Sequence, residues 1–350
     1  DMIMGNNGEL IPIEFPSPSV KRLSYELDID SDGLVGKVIH ALKVSDDEEL
    51  VIRSGINRDP SRLSLARYAP SLYALGNDID ALQITNVGLL RSGLLKRLES
   101  STAALVATLT RLVVSHKAFI QGLDAGYVMT GDLLREYVNS EFDDLDEFLD
   151  DFDDPTGDQV QPASEYDVAA LRKDVQLDLE LLEELTSLAS ARLKQGPDAK
   201  TEELLTHLSA IAADAQRPSP HGLSDSDRRK IVIFTTYTDT AVELHKRLEE
   251  GLRTAAKSSP LTDYRKRLAP PVFGARGGTS QEERARTLAG FAPMTAGEVR
   301  EDGTPLAKDI YDIIVTTDVL SEGVNLQQAG RMRSEEHTSE LQSRQYLVCR

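Results

Sequence analysis

The sequence predicts an α/β protein: a partial parallel-sheet lobe preceded by a mainly helical insertion region. Three observations carry this expectation. Apolar residues recur at helical spacing through much of residues 81–216. A Pro/Ser/Gly-rich stretch, "RPSPHGLSDSD" (217–227), then breaks the pattern and reads as a linker. Beyond it, short apolar runs alternate with amphipathic stretches of helical length, the order that yields a parallel sheet covered on both faces.

Residues 1–80 are mixed. "SVKRLSYELDI" alternates as a strand through Val20, Leu23, Tyr25 and Leu27, and "GLVGKVIHALKVSDDEELVI" admits helix or strand. Leu90, Leu94, Leu98, Leu105, Leu109 and Val113 then mark one long helix or two, with Gly126 as a stop. From Glu141 to Asp154, nine of fourteen residues are acidic and none is basic, so the segment reads as a solvated face. Phe142, Leu145, Phe148, Leu149 and Phe152 leave open an acidic amphipathic helix that docks on a protein partner, or a decoy competing with nucleic acid. Helical spacing returns over 166–215.

Past the linker, "RKIVIFTTYTD" reads as a strand and "DTAVELHKRLEEGLRTA" as a helix with Asp239 available as N-cap. "PPVFGARGG" reads as a second strand entering a Gly turn. "TSQEERARTLAGF" is a helix opened by Thr279 or Ser280 with Glu282 or Glu283 in a capping box. "YDIIVTTDVL" is a third strand, buried on both faces to judge by Ile313, Ile314 and Val315.

Aromatics are 5% of the chain and Trp is absent, so the core must be aliphatic. The net charge of -19 argues against a free nucleic-acid binder, though the acids are clustered. Cys349 is the only cysteine, which excludes disulfides and Cys-ligated zinc within the chain. The six histidines show no metal spacing. A Ser-His-Asp arrangement is left open, but no G-x-S-x-G elbow is present. With no run of 18 apolar residues and no signal peptide, the expectation is a cytoplasmic protein without a membrane partner.

In a parallel sheet, ligands meet the carboxyl ends of the strands. Those ends are "FTTYTD", "GARGGTS" and "TTDVLSEGVNLQ", rich in hydroxyls, Gly and Asn. In this order and spacing they resemble the second RecA-like lobe of superfamily 2 helicases and translocases. "KIVIFTTYTDTAVELHKRLEE" is similar to motif IV and its helix, "GARGGTSQEERARTLAGFAP" to the Gly-turn segment that follows, and "DIIVTTDVLSEGVNLQQAG" to motif V. Glu322-Gly323-Val324-Asn325-Leu326-Gln327 stands where DEAD-box RNA helicases carry Arg-Gly-x-Asp. It is closer to bacterial Swi/Snf-related ATPases, as is "GLLKRLESSTAAL" (93–105).

The resemblance implies that 228–332 is a truncated helicase C-terminal lobe, that 1–80 belongs between the lobes, and that double-stranded DNA is the track. It implies phosphate-backbone contacts by Thr235, Thr236, Gly277, Gly278, Thr279, Thr316 and Thr317. It implies places near the ATP ribose and the lobe interface for Glu322, Gly323 and Asn325. ATP and Mg2+ are the cofactors of the intact protein. No G-x-x-x-x-G-K-[ST] loop occurs in the chain, and no arginine-bearing motif VI follows motif V. No catalytic residue or metal ligand is therefore assigned, and the chain alone is expected to bind no cofactor. A non-catalytic interaction module and an RNA-directed helicase remain alternatives.

The last stretch reads differently. "RSEEHTSELQS" and "YLVCR", within residues 333–350, resemble the one-frame translation of a sequencing-library adapter. The expectation is a non-native tail, and an unpaired sheet edge where a strand should follow "QQAG".

Overall fold

The computed structural model describes residues 2–4, 10–12, 33–43, 59–76, 79–129, 160–219, 223–273, 279–302, 304–317 and 324–334. The strand expected at "SVKRLSYELDI", the acidic segment 141–154, Gly277, Gly278, Glu322, Gly323 and the chain beyond Ser334 lie outside these residues. The chain divides into a helical unit, residues 27–196, and a sheet unit, residues 1–26 with 197–350. An antiparallel pair, β1 (Met2–Met4) and β2 (Leu10–Pro12), opens the sheet unit's share of the chain.

The helical unit contains α1 (Leu34–Leu42), α2 (Ala81–Ser100), α3 (Thr102–Asp124), the antiparallel pair β3 (Tyr127–Met129) and β4 (Val160–Pro162), and α4 (Val168–Lys194). Ser101 settles whether α2 and α3 are one helix. Its backbone is extended and its side chain accepts a hydrogen bond from Ala104 N at 3.0 Å, so one helix ends and a capped one begins. Leu90, Leu94, Leu105 and Leu109 are buried in one aliphatic core, with Leu98 and Val113 partly buried against it. Gly126 follows the end of α3 at φ 93°, a left-handed conformation open to Gly. By length and composition α3 could cross a bilayer, but Leu105, Leu109, Leu112 and Phe119 bury it within the unit.

A fully buried carboxylate organises the approach to this core. Asp178 on α4 accepts hydrogen bonds from Ser64 N (2.8 Å), Ser64 Oγ (2.8 Å) and Ala66 N (2.9 Å). Leu65 between them is buried at φ 58°, a left-handed conformation that costs a non-glycine residue about 1–2 kcal/mol. Three charge-assisted bonds offset that strain and the burial of the charge.

In the sheet unit, α5 (Ala199–Ala215) and the single turn α6 (Asp225–Arg229) lead into β5 (Ile231–Phe234) and α7 (Thr238–Thr254). Then come α8 (Gln281–Phe291), β6 (Ile313–Thr316) and β7 (Arg331–Ser334). The strands are parallel in the order β6-β5-β7, with Ile231 opposite Ile313 and Arg331. Alternation along β5 divides two cores. Ile231 and Ile233 pack with Leu204, Leu208 and Ile211 of α5 and Leu248 of α7. Val232 and Phe234 face Leu288 and Phe291 of α8. β5 and β6 are therefore buried and almost wholly apolar, as a doubly covered parallel sheet requires, whereas the edge strand β7 is half-buried and carries Arg331 and Arg333.

Several expectations change. The chain divides at Gly196 and Pro197, and α5, grouped by sequence with the helical region, packs on the sheet. An apolar stripe at helical spacing does not say which core it meets. The 217–227 stretch is bridged by Arg228, which donates to Asp214 O (2.7 Å) and Ala215 O (3.0 Å), the last carbonyls of α5. Tyr237, not Asp239, is the N-cap of α7. Asp239 sits in the first turn, where its charge suits the helix dipole. The stretch through "PPVF", residues 268–273, makes only isolated parallel bridges beside β6, Leu268 to Ile313 and Val272 to Thr316. Pro270 and Pro271 between them have no N–H to donate to a ladder. Beyond "QQAG" a strand does form, and Arg333 and Ser334 of the expected tail belong to it. A ladder of backbone groups is indifferent to side chains. The capping box at Ser280 and Glu283 forms as expected.

The amino ends of the strands are joined by ions. Asp312, fully buried, takes Arg267 Nη2 (2.8 Å), Ser226 Oγ (2.8 Å) and Arg229 Nε (3.1 Å). Lys230, also fully buried, donates to Asp309 Oδ1 (2.8 Å) and Tyr311 O (2.9 Å), with its ammonium 5.1 Å from the Phe291 ring centre. The Asp312 carboxylate, above all through its hydrogen bond, holds the Arg267 pKa above its ordinary value. Burial raises the Tyr264 pKa, and its hydroxyl donates to Arg229 O at 3.1 Å.

Two expected outcomes follow. Asp178→Ala strands two buried N–H groups and lowers the helical unit's stability by about 3 kcal/mol, read from denaturant unfolding. A loss below about 1 kcal/mol rules out the clamp. Asp312→Ala leaves buried cations uncompensated and costs the sheet unit about 3–5 kcal/mol, read from hydrogen exchange of the β5 amides. Unchanged β5 protection rules out that role.

Candidate functional site

The carboxyl edge of the sheet is built by three departures. From β5 the chain enters α7, which packs on the face holding Ile231 and Ile233. From the 268–273 segment it reaches α8, on the opposite face. From β6 it returns through 324–330, whose Leu326 and Ala329 also join the α8 face. The segments that follow the adjacent strands β5 and β6 thus pack on opposite faces, the arrangement in which ligands commonly meet the carboxyl ends of an α/β sheet.

Three of the expected contact residues form a continuous rim there. Thr235 N donates to Thr316 O at 2.9 Å, continuing the ladder past Phe234. Thr316 Oγ1 lies 2.8 Å from Val272 O and 2.9 Å from Thr317 O, so its one proton serves either carbonyl. Thr279 Oγ1 accepts from Phe273 N at 3.1 Å. The rim runs from β5 across β6 to the cap of α8. It is built of hydroxyls that are already used. Thr235 Oγ1 donates to Tyr237 O at 3.2 Å, and Thr235 and Thr316 are buried. Thr236 is exposed and Thr317 half-buried, so these two lie nearer solvent.

Asn325 is elsewhere. Its carbonyl accepts from Thr295 Oγ1 at 2.9 Å, and its Oδ1 from Gln327 N at 3.2 Å. Thr295 follows the carboxyl end of α8. That end lies by the entry to β6, because Gly290 O accepts from Ile310 N (2.9 Å) and Tyr311 N (3.1 Å). The structure therefore does not bring Asn325 to the hydroxyl rim. Gln328, which sequence reasoning missed, pins the same loop. Its Oε1 accepts from Met294 N (3.1 Å) and its Nε2 donates to Asp227 Oδ1 (2.9 Å). One Gln in "NLQQAG" carries no signal that separates it from its neighbour.

The charge is unevenly divided. The helical unit holds 16 basic against 31 acidic residues, the sheet unit 23 against 27. Among the described residues no three His, Cys, Asp or Glu side chains converge as a metal site. Asp59, Ser61 and His40 do meet: Ser61 Oγ donates to Asp59 Oδ1 (2.5 Å) and lies 2.9 Å from His40 Nε2. A nucleophilic triad places the imidazole between serine and carboxylate. Here the serine is in the middle and gives its proton to Asp59, so it is not activated. His245 on α7 meets Ala269 O at 2.9 Å, and burial, its main influence, lowers the imidazole pKa.

Thr316→Val is expected to lower stability by about 1–2 kcal/mol, since it strands the Val272 carbonyl, whereas Thr316→Ser retains the bond. Equal melting of the valine variant and the parent rules out an internal role for the hydroxyl. Compared with known proteins, the chain matches no protein-family model, no curated protein and no solved structure.

Proposed function

We propose that this chain is the second motor lobe, RecA-like, of an ATP-driven, DNA-directed helicase or translocase of the Swi/Snf-related kind, acting in the cytoplasm. The observation that carries the reading is the pairing of the carboxyl ends of β5 and β6. The segments that resemble motifs IV and V meet there across one register, Phe234 opposite Thr316. A motor lobe must hold a nucleic-acid backbone without reading its sequence, and hydroxyls and backbone N–H groups on a rigid edge can make such contacts. Thr235, Thr316 and Thr279 stiffen that edge by bonding the strand ends to one another. Thr236 and Thr317 stand nearer solvent, where a phosphate is met. A nearly neutral sheet unit does not repel a polyanion as the chain's total charge implies.

ATP and Mg2+ fit this chain only in part. Holding the phosphates takes a Gly-rich loop with Lys and Ser/Thr, and no such loop is in the sequence. The cofactor's phosphates and metal therefore belong to a partner lobe, and this chain supplies one wall of the site. The residues assigned to that wall by resemblance are Glu322, Gly323 and Asn325. Asn325 is held in the 324–330 loop through Thr295 Oγ1, which donates to its carbonyl.

The chain by itself is expected to show no ATP hydrolysis above a buffer control, with or without duplex DNA. A longer product of the same locus is expected to hydrolyse ATP, stimulated more by duplex DNA than by RNA. Turnover by the chain alone, or an upstream region lacking a phosphate-binding loop, overturns the proposal. Stronger stimulation by RNA moves the track to RNA.

A further inference from the structure

At the sheet's amino edge, opposite the hydroxyl rim, the cations divide into two sets. Arg229, Lys230 and Arg267 are committed to Asp309 and Asp312. Arg253, Lys257, Lys266 and Lys308 are exposed and have no ionic or hydrogen-bonded side-chain partner among the described residues. The segments that carry these four are joined by bonds of their neighbours. Arg265, next to Lys266, reaches Leu252 O (3.3 Å) and Ala255 O at the end of α7, which places it between Arg253 and Lys257. Lys266 precedes Arg267, whose Nη2 donates to Asp309 Oδ1 at 2.8 Å, and Lys308 precedes Asp309.

Cations at a helix carboxyl end ordinarily serve its dipole. Here Arg265 does so, and the side chains of the others bond no partner among the described residues. The carboxylates within reach are few. Glu249 and Glu250 lie on α7, and Asp263 is occupied by Arg229 (3.8 Å) and Gln216 (3.0 Å). Lys266 adds an independent observation. Its φ of 60° lies in the left-handed region, in a turn closed by Arg267 N to Tyr264 O at 2.9 Å. Gly or Asn fits that backbone without strain, and strain of this kind is retained where the surroundings or a function hold it.

We propose that Arg253, Lys257, Lys266 and Lys308 form a binding surface for the phosphate backbone of duplex nucleic acid, separate from the carboxyl edge. Between Arg253 and Lys266 no large apolar side chain is exposed. A protein partner takes its affinity from apolar or aromatic anchors; the Arg253–Lys266 stretch offers none, and Leu306 and Ile310 stand exposed only at its margin, beside Lys308. What it offers is unpaired charge on a fixed frame, the requirement for contacts that position a duplex without reading it. Only the choice of duplex DNA as the polyanion leans on the function proposed above.

The test uses the whole chain and two unrelated labelled duplexes, with anisotropy read across a salt series. The chain is expected to bind both duplexes alike. The triple variant Arg253→Gln, Lys257→Gln, Lys266→Gln is expected to bind at least about tenfold more weakly at low salt, with a salt slope shallower by about 3. Lys266→Gly separates binding from folding, because it relieves the backbone: it should melt no lower than the parent and still bind less. Absence of duplex binding by the parent chain overturns the proposal, as does a triple variant that binds unchanged. Tighter binding of polyglutamate than of duplex overturns it in favour of an acidic protein. An unchanged triple variant beside a weakened Thr236→Ala variant leaves the carboxyl-edge reading intact while removing this one.

Discussion

The sheet unit depends on two fully buried opposite charges, Asp312 and Lys230, at the amino ends of adjacent strands. Removing a charge from water costs several kcal/mol, so each is tolerable only with its bonds complete. Completing them draws in Ser226 from α6, Arg229 from the entry to β5, Arg267 from the approach to Leu268, and Asp309 from the entry to β6. Three separate lengths of chain, 226–230, 267 and 309–312, are thereby fixed at one end of the sheet. A slip of one residue in either strand would break this set and would also exchange the two apolar faces. The same cluster therefore sets the register that brings Phe234 opposite Thr316 at the other end.

That far end shows how little a hydroxyl-rich strand terminus says by itself. A strand that stops leaves carbonyl and N–H groups needing partners. Threonine satisfies them at short range, and Thr235, Thr316 and Thr279 each do so here. The residue type that suits a phosphate also suits a strand end. The distinction is made by burial and by where the one hydroxyl proton goes, neither of which is visible in sequence.

The parts of the fold legible in sequence were those set by nearest neighbours. The runs "IVIF" and "IIVT" became buried parallel strands, and Ser280 with Glu283 became a capping box, because period and local spacing suffice for both. Unreadable were features set by distant partners. The Asp178 clamp joins residues more than a hundred positions apart, and its carboxylate looked like one more acid on an acidic helix. The packing of α5 on the sheet was hidden because a stripe of Leu and Ile is the same on either side of a boundary. Pro270 and Pro271 were in view, and their missing N–H groups were the clue that the second strand would be only a pair of bridges.

Charge was the most misleading total. A chain of -19 reads as hostile to any polyanion, yet 15 of that excess lies in the helical unit and 4 in the sheet unit. Screening at physiological salt confines an exposed charge's influence to roughly 8 Å, so the balance within one surface outweighs the sum over the chain. Pairing then refines that balance. Asp309 and Asp312 are spent on Arg229, Lys230 and Arg267, and contribute little field outside their cluster. The cations beside them that find no carboxylate stay available to solvent and to whatever anion approaches. A buried network that consumes the local acids thus leaves a basic edge on an acidic protein.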